Sequence, residues 1–384
     1  MDLTLDEEYA ALRETVADFA RTAVAPVIGD LYERGEFPYD LVRRMGAMGL
    51  FGLPLAEEHG GMGGDYFALC IALEELARVD SSVAITLEAA VSLGAMPIAR
   101  FGTPAQKARW LPRLAAGKAL GAFGLTEPAG GSDAGATRTT ARLDGGEWVI
   151  NGAKSFITNS GTAVTDLITV TAVTGERDDR KEISAIVVPA GTPGLTVSEK
   201  YSKVGWAASD TRGLFFDDVR VPAENLLGER GRGYAQFLTI LDEGRIGIAA
   251  LAVGLAQGCV DESVRYARER TSFGRRIGEY QAVQFMIADS FTEHAMTQLF
   301  VYQLAARTDA GVASRHESYM AKISGTELGF RVADRCMQIH GGIGLAAEMP
   351  IAQMWRDARS FMITEGPVEV MRMVLAREIF RGQA

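Results

Sequence analysis

Residues 123–135 read Phe-Gly-Leu-Thr-Glu-Pro-Ala-Gly-Gly-Ser-Asp-Ala-Gly and lie where the periodicity of the sequence changes. Before this segment, apolar residues recur at steps of three and four, which is typical of amphipathic helices; after it, they alternate with polar residues, which is typical of strands. The segment offers a threonine hydroxyl, a proline-fixed turn and unhindered glycine amides, which suit a ring edge followed by a phosphate chain. Its composition alone favours an ordinary loop.

The N-terminal part, residues 1–121, is predicted to be helical. A first amphipathic pattern begins at Leu5 and should end at Pro26, because proline interrupts helical hydrogen bonding. A later pattern covers residues 83–101, and Gly102-Thr103-Pro104 then opens a short helix.

The middle part, residues 122–226, is predicted to be a β domain, either a small barrel or a sandwich. Asp144-Gly145-Gly146 marks a turn between two strands, and the charged stretch 174–182 is expected to be a solvated hairpin tip. Strand-like patterns cover residues 139–143, 148–150, 166–173, 183–188 and 212–219.

The helical period returns in residues 227–384 and predicts a four-helix antiparallel bundle. Long helical patterns cover residues 233–270, 279–309 and 314–340, and a last one begins at Pro367. The fold class is therefore α+β multidomain, in the order helical domain, β domain and helical bundle.

The composition is that of a globular protein with an acidic surplus. Its 384 residues include 39 Lys and Arg against 49 Asp and Glu, a net charge of −10, which argues against nucleic acid as a partner. The three cysteines and four histidines show no disulfide or metal-ligand spacing. No apolar stretch looks long enough to span a bilayer, and the first residues lack a secretory signal pattern. We therefore expect no metal, no membrane association and a cytoplasmic location.

Six short motifs, taken together, resemble one enzyme family. They are Gly124–Ala136, Trp148–Asn159, Arg270–Gly274, Gln338–Gly344, Arg356–Arg359 and Glu365–Pro367. Their order and spacing are similar to those of the acyl-CoA dehydrogenase flavoproteins over essentially the whole chain. The resemblance implies an FAD cofactor between the β domain and the bundle, an acyl-CoA substrate, a homotetramer built as a dimer of dimers, and reoxidation by an electron-transfer flavoprotein.

The resemblance also implies which residues contact FAD. Thr126 would form a hydrogen bond with the pyrimidine edge of the flavin ring, Thr158 would approach the N5 edge, and Ser132 would reach the phosphate region. Phe156 stands where many members have a tryptophan stacked on the ring system. The other residues implied to bind the cofactor are Phe123, Leu125, Arg270, Phe273, Gln281, Gln338, Gly341, Gly342, Pro367 and Glu369.

Some of these positions match residues that contact the FAD of a neighbouring subunit: Arg270, Gln281 and the stretch 338–342. The planar guanidinium of Arg270 can clamp a pyrophosphate, although a solvated helix charge is the simpler interpretation. The pair Gly341-Gly342 can bring backbone amides close to a nucleotide, although such a pair more often ends a helix.

Glu365 matches the usual catalytic base of the family. It would remove the proton α to the thioester, which requires a carboxylate held in a water-poor pocket. From the local sequence alone, Glu365 could equally complement the dipole of the helix that follows it. Some members carry the base on the long helix instead, at the position of Gly244. The residues implied to bind the substrate are Ser132, Leu241, Asp242, Arg245 and Gly366, of which Asp242 and Arg245 are also spaced as an i,i+3 helical ion pair.

Three features bear on the substrate and the cofactor. Thr364 replaces the tyrosine usual before the base, which leaves room for a bulkier or branched acyl group. Pro367 replaces a threonine, which removes a hydroxyl near FAD. No arginine lies in residues 82–98, a stretch that could face the acyl tail, so a dicarboxylic acyl group is disfavoured.

The implied reaction is α,β-dehydrogenation of an acyl-CoA to the trans-2-enoyl-CoA. Two alternatives stay open: an acyl-CoA oxidase, and a non-catalytic subunit of a hetero-oligomeric dehydrogenase. The chain is short for an oxidase, and it retains Glu365, Thr126 and Ser132, which a non-catalytic subunit would be expected to have lost.

Overall fold

The computed structural model describes residues 5–382, so residues 1–4 and 383–384 of the predicted terminal domains lie outside it. It confirms the expected fold class: an N-terminal group of helices, a sheet and a C-terminal group of helices follow one another. The helices of the two ends pack into a shared core, in which the long helix of the C-terminal part is the central element.

The first helical run of the N-terminal part extends further than the sequence pattern suggested, to Arg34. The N-terminal helices are α1 Glu7–Phe19, α2 Ala25–Arg34, α3 Tyr39–Ala47, α4 Tyr66–Ala77, α5 Ser81–Glu88, α6 Met96–Phe101 and α7 Pro104–Ala115. The expectation that Pro26 ends the first helix is wrong. A π-helical segment, Ala20–Val24, joins α1 to α2, and Pro26 lies in the first turn of α2, where a missing N–H is tolerated.

A second π-helical segment, Ala89–Ala95, joins α5 to α6. The continuous stretch Ser81–Phe101 is long and apolar enough to cross a membrane, but 89% of its most apolar window is buried inside the protein. It packs closely against the start of the sheet, because a Cβ at Gly94 would lie 2.7 Å from the carbonyl oxygen of Gly121. This stretch is therefore a core helix of the fold.

The sheet has eight strands in the order β6-β7-β3-β2-β4-β5-β8, with β1 pairing in parallel with β4. The strands are β1 Leu120–Gly124, β2 Thr140–Asp144, β3 Glu147–Thr158, β4 Thr165–Arg177, β5 Arg180–Pro189, β6 Leu195–Val197, β7 Thr211–Pro222 and β8 Leu226–Leu227. Buried apolar side chains of these strands, including Trp148, Ile168 and Phe216, form a core cluster of their own. The predicted hairpin tip at 174–182 is mostly paired strand, and only Asp178 and Asp179 form the turn, with φ of +50° and +58°.

The C-terminal helices are α8 Gly233–Glu269, α9 Gln281–Asp309, α10 Arg315–His340, α11 Pro350–Phe361 and α12 Val368–Phe380. A short hairpin of β9 Thr271–Ser272 and β10 Arg275–Arg276 separates α8 from α9. Helix α11 was not predicted from the sequence. Its Asp357 is buried and accepts hydrogen bonds from Tyr32 of α2, Ser81 of α5 and the backbone N–H of Trp206, at 2.8, 2.7 and 2.6 Å.

Candidate functional site

Glu365 lies in the short connection between α11 and α12 in a strained backbone conformation. Its φ is +52°, in the left-handed region that non-glycine residues rarely adopt, and Gly366 follows with φ +99°. Such a conformation costs about 1–3 kcal/mol and persists only where the surroundings enforce it. Both carboxyl oxygens of Glu365 are buried, and no group among residues 5–382 is placed to give either one a well-formed hydrogen bond.

Gly244 of α8 provides the space that the Glu365 carboxyl group fills. A Cβ at Gly244 would lie 2.6 Å from Oε2 of Glu365, closer than any real side chain could approach. This is the position that the family resemblance gave as the alternative location of the base, and it faces Glu365 directly. The neighbouring Glu243 points elsewhere and pairs with Arg100 at 2.7 Å.

Two buried cations hold the backbone around Glu365. Lys322 of α10 has no exposed surface and donates hydrogen bonds to the carbonyl oxygens of Met362, at 3.5 Å, and Gly366, at 2.5 Å. Arg245 of α8 donates to the carbonyl oxygen of Glu365 at 3.3 Å and pairs with Asp242 at 2.5 Å. The predicted i,i+3 ion pair is therefore present, and it orients a cation towards Glu365.

Burial and these cations act in opposite directions on the titration of Glu365. Removal from water raises the pKa of Glu365 to about 7, although the positive charges of Arg245 and Lys322 lower it. Burial likewise lowers the pKa of Lys322 to about 7. A carboxyl group with a pKa near neutrality can accept a proton and release it again, as a general base must.

The loop at 123–139 is fixed to the sheet beside this site by a buried ion pair. Lys154 of β3 is 1% exposed and lies 2.8 Å from the carboxylate of Glu127, which also accepts the backbone N–H groups of Arg138 and Thr139. Lys154 further donates to the carbonyl oxygen of Leu125 at 3.2 Å. Breaking a buried pair of this kind typically costs about 3–5 kcal/mol, so the loop is firmly held.

Several residues implied to bind FAD come together where this loop meets the end of β3. The N–H of Ser155 donates to the carbonyl oxygen of Thr126 at 2.9 Å, which brings Thr126 next to Phe156 and Thr158. Phe156 is 69% exposed with φ +60°. Behind the loop, Phe123 stacks on Phe237 of α8 with ring centroids 3.8 Å apart.

The remaining residues of this group lie around the first half of α8 and the start of α12. Leu125 and Leu241 pack in the apolar cluster of Phe123. Ser132 is exposed in the loop, which crosses the start of α8, since a Cβ at Gly135 would lie 3.7 Å from the ring of Tyr234. Pro367 and Glu369 lie at the N-terminus of α12, next to Gly366.

The other predicted residues form a separate group at the far end of the bundle. Arg270 ends α8, Gln281 begins α9, and Gln338 lies in the last turn of α10. These ends adjoin one another, because the rings of Tyr266 and His340 stack at 4.5 Å. Phe273, at the tip of the β9–β10 hairpin, is 96% exposed. Gly341 is the C-cap of α10, as the simpler interpretation expected, and Gly342 follows it on the surface.

Two buried residues of the site were missed in the sequence analysis. Lys322 gives no local signal, because nothing in its helical pattern marks it as facing the Glu365 connection. Glu88 has no exposed surface and lies beside Glu365. A signal for Glu88 did exist: it is the one charged residue within residues 82–98, an otherwise apolar and neutral stretch.

The three parts of the chain match three family models in the same order. The model for the acyl-CoA dehydrogenase N-terminal domain matches residues 6–118, the middle-domain model matches 122–219, and the C-terminal-domain model matches 231–380. The chain belongs to the acyl-CoA dehydrogenase family. It is therefore an oxidoreductase, and members of this family are FAD-dependent.

Relatives of this acyl-CoA dehydrogenase match over nearly their whole length. A probable acyl-CoA dehydrogenase of Bacillus subtilis is 45% identical over 99% of this chain and 100% of its own. The butyryl-CoA dehydrogenase of Megasphaera elsdenii has a TM-score of 0.95 and 37% identity, covering 99% of this chain and 100% of that one. A further match is a chain of a structure described as the electron transferring flavoprotein of Acidaminococcus fermentans. It has a TM-score of 0.96 and 39% identity, covering 99% of this chain and 100% of that one.

The residues where the loop at 123–139 meets the end of β3 fit an FAD cofactor. The exposed ring of Phe156 offers an apolar face to a flavin, and the hydroxyls of Thr126 and Thr158 are partly exposed and bond no other group of residues 5–382. Within the same residues, no cluster of three or more His, Cys, Asp or Glu side chains could hold a metal ion.

The close fit between Gly244 and Glu365 leads to a first prediction. Replacing Gly244 by alanine would push the Glu365 carboxyl group aside, and a displacement of about 1 Å can cost about 10²-fold in rate. We expect Gly244→Ala to bind FAD normally but to be reduced by an acyl-CoA about 10²-fold more slowly, measured by anaerobic stopped-flow bleaching of the flavin.

Gly29→Ala is the matched control. It makes the same change in a helix, with no atom within 4 Å of the new Cβ. Equal reduction rates in Gly244→Ala and the wild-type enzyme would show that the contact with Gly244 does not set the position of the reactive carboxylate.

Proposed function

We propose that Glu365 is the general base of an acyl-CoA dehydrogenase that forms a trans-2-enoyl-CoA. It accepts the proton from the carbon α to the thioester while the β hydrogen leaves with its electron pair. Bound FAD supplies the electron acceptor for that hydride. The observation that carries the proposal is the buried Glu365 carboxylate, which lies against Gly244 of α8 without a well-formed hydrogen bond. The loop suited to a flavin packs on the same half of α8, through Phe123 and Phe237.

The surroundings of Glu365 support this role. Lys322 and Arg245 bond to carbonyl oxygens of the connecting segment, so they hold the backbone and leave the carboxylate unengaged. The left-handed φ of Glu365 turns the side chain inward against α8 instead of outward to solvent. A water-poor position keeps the base reactive, because a hydrated carboxylate near its ordinary pKa would be a weaker proton acceptor.

For the substrate we propose a short-chain acyl-CoA. The similarity to the butyryl-CoA dehydrogenase of M. elsdenii supports it, and so does the buried Glu88, a polar group beside the reactive carboxylate. Thr364 still leaves room beside the base for a branch on a short acyl group. Arg245 and Asp242, on α8, are proposed to face the thioester end of the substrate.

We further propose that the enzyme is a homotetramer in which FAD sites are completed by a second subunit. Arg270 follows Gly244 by 26 residues, which is about 39 Å along α8 at about 1.5 Å per residue. The loop that carries Thr126 meets α8 still earlier, at Tyr234 and Phe237, and one extended dinucleotide is too short to span from there to Arg270. If both groups of predicted residues bind FAD, the Arg270 group must therefore serve the FAD of a neighbouring subunit.

An electron-transfer flavoprotein is the proposed electron acceptor, and the cytoplasm is the proposed location. The similarity to the A. fermentans structure supports the acceptor. The three cysteines are buried free thiols, which is consistent with a reducing compartment.

The role of Glu365 is tested by Glu365→Gln, which keeps the shape of the side chain but cannot accept a proton. We expect the variant to remain yellow and to bind acyl-CoA, but to be reduced roughly 10²–10⁴-fold more slowly, because general bases contribute that much. Anaerobic flavin bleaching with butyryl-CoA, branched, long-chain and aryl acyl-CoAs would measure both the rate and the substrate preference.

Glu348→Gln, on the exposed surface, controls for the loss of a carboxylate elsewhere. Unchanged reduction in Glu365→Gln would reject Glu365 as the base. An oxygen pulse after reduction distinguishes a dehydrogenase from an acyl-CoA oxidase. In an oxidase, dioxygen would promptly reoxidise the reduced flavin without a flavoprotein acceptor.

The shared FAD site is tested by Arg270→Ala, with Arg180→Ala at the exposed hairpin turn as the control. We expect Arg270→Ala to lose flavin and to form a weaker oligomer, because one side chain would serve both the cofactor and the interface. On dilution, the variant should separate into smaller species at protein concentrations where the control is still assembled. Flavin content after gel filtration and mass from light scattering measure the two effects. Full flavin content in an undissociated oligomer would contradict the proposal.

A further inference from the structure

Glu88 is a second carboxyl group at the reactive centre with no role in the mechanism described so far. It is the last residue of α5, directly before the π-helical segment Ala89–Ala95, and its side chain has no exposed surface. Neither of its oxygens has a well-formed hydrogen bond to another group of residues 5–382. Leaving a buried polar group unpaired is costly, so its position calls for an explanation.

Glu88 and Glu365 approach the same face of α8. The carboxyl group of Glu365 lies against Gly244, and Cγ of Glu88 would lie 3.2 Å from a Cβ at Gly247, one helical turn further on. The two carboxyl groups are close enough for each to shift the pKa of the other. A side chain at Gly244 would displace the Glu365 carboxyl group, and one at Gly247 would crowd Cγ of Glu88 and the hydroxyl of Tyr66.

The charged groups around the pair favour ionisation of Glu365 over ionisation of Glu88. Arg245 of α8 and Lys322 of α10 act on Glu365, and neither is among the charges that act on Glu88. On the α4 side, the pair faces Tyr66, whose hydroxyl donates to the carbonyl oxygen of Glu243 at 2.8 Å, and the buried thiol of Cys70. The hydroxyl of Ser92 is the other neighbour of Glu88. The positive charge in this site therefore lies on the side of Glu365.

We propose that Glu88 is a positioning residue that keeps its proton and donates a hydrogen bond to ionised Glu365 in the unliganded enzyme. This contact holds the base in its reactive form within the pocket until an acyl-CoA enters. The inference rests on the proposed role of Glu365 as the base.

The pKa shifts of the two groups agree with a protonated Glu88 beside an ionised Glu365. Burial, followed by the negative charge of Glu365, raises the pKa of Glu88 well above its ordinary range. A hydrogen bond donated by protonated Glu88 would in turn lower the pKa of Glu365. A protonated acid beside a carboxylate is the stable state of such a pair, because two adjacent buried carboxylates cannot both ionise.

The test is the pH dependence of kcat/KM, which reports ionisation in the free enzyme. Glu88→Met removes the donor, so the pKa of Glu365 should rise and the acidic limb of the profile should move to higher pH, by about one unit or more. Glu88→Gln keeps a donor, so its profile should stay close to that of the wild-type enzyme. If Glu88→Met does not fold, Glu88→Asp gives the same upward shift, because the shorter side chain does not reach Glu365.

Two results would overturn the proposal. If the acidic limb of the kcat/KM profile stays in place in both Glu88→Met and Glu88→Asp, Glu88 only fills space. If that limb moves to lower pH, Glu88 is ionised and repels the base. Failure of the proposed function is recognised separately: Glu365→Gln would then retain the wild-type rate, whatever the Glu88 variants do. In a Glu365→Gln background the acidic limb should disappear, and Glu88→Met should add no further pH effect.

Discussion

The burial of the Glu365 carboxyl group against Gly244 is the constraint on which the rest of the site depends. Three elements converge for it: α8 provides the space, α10 provides the Lys322 that holds the connecting backbone, and α5 places the buried Glu88 beside it. The strained φ of Glu365 is maintained by these contacts. Without them the side chain would turn to solvent and lose the raised pKa that suits it to proton transfer.

The cofactor side of the site depends on a different interaction, the buried pair of Lys154 and Glu127. This pair fixes the loop that carries Thr126 and Ser132 to the sheet, and the same loop packs on α8 through Phe123 and Phe237. The loop and the base therefore both pack against the first half of α8. A single helix sets the relative position of the residues proposed to hold FAD and the residue proposed to remove the proton.

Much of the fold could be predicted from the sequence, because long periodic segments such as α8 to α10 reflect burial directly. The π-helical segments could not, since apolar spacing does not report a widened turn, and so Pro26 was misread as a helix end. The short α11 was missed for a related reason: its key residue, Asp357, is a buried acid that pattern analysis places on a surface. At the site, Glu365 and the pair of Asp242 and Arg245 followed from motifs. Glu88 and Lys322 depend on contacts between helices far apart in sequence, which local patterns do not contain.

If Glu365 removes the α proton, it must also catalyse hydrogen exchange at that carbon, and this exchange measures proton removal alone. Acetyl-CoA has α hydrogens but no β carbon, so proton removal cannot proceed to dehydrogenation. We predict that the FAD-loaded enzyme in D₂O introduces deuterium into the acetyl group, followed by NMR, and that Glu365→Gln does not exceed the rate without enzyme. Equal deuterium uptake with the wild-type enzyme and the variant would mean that a group other than Glu365 removes the proton.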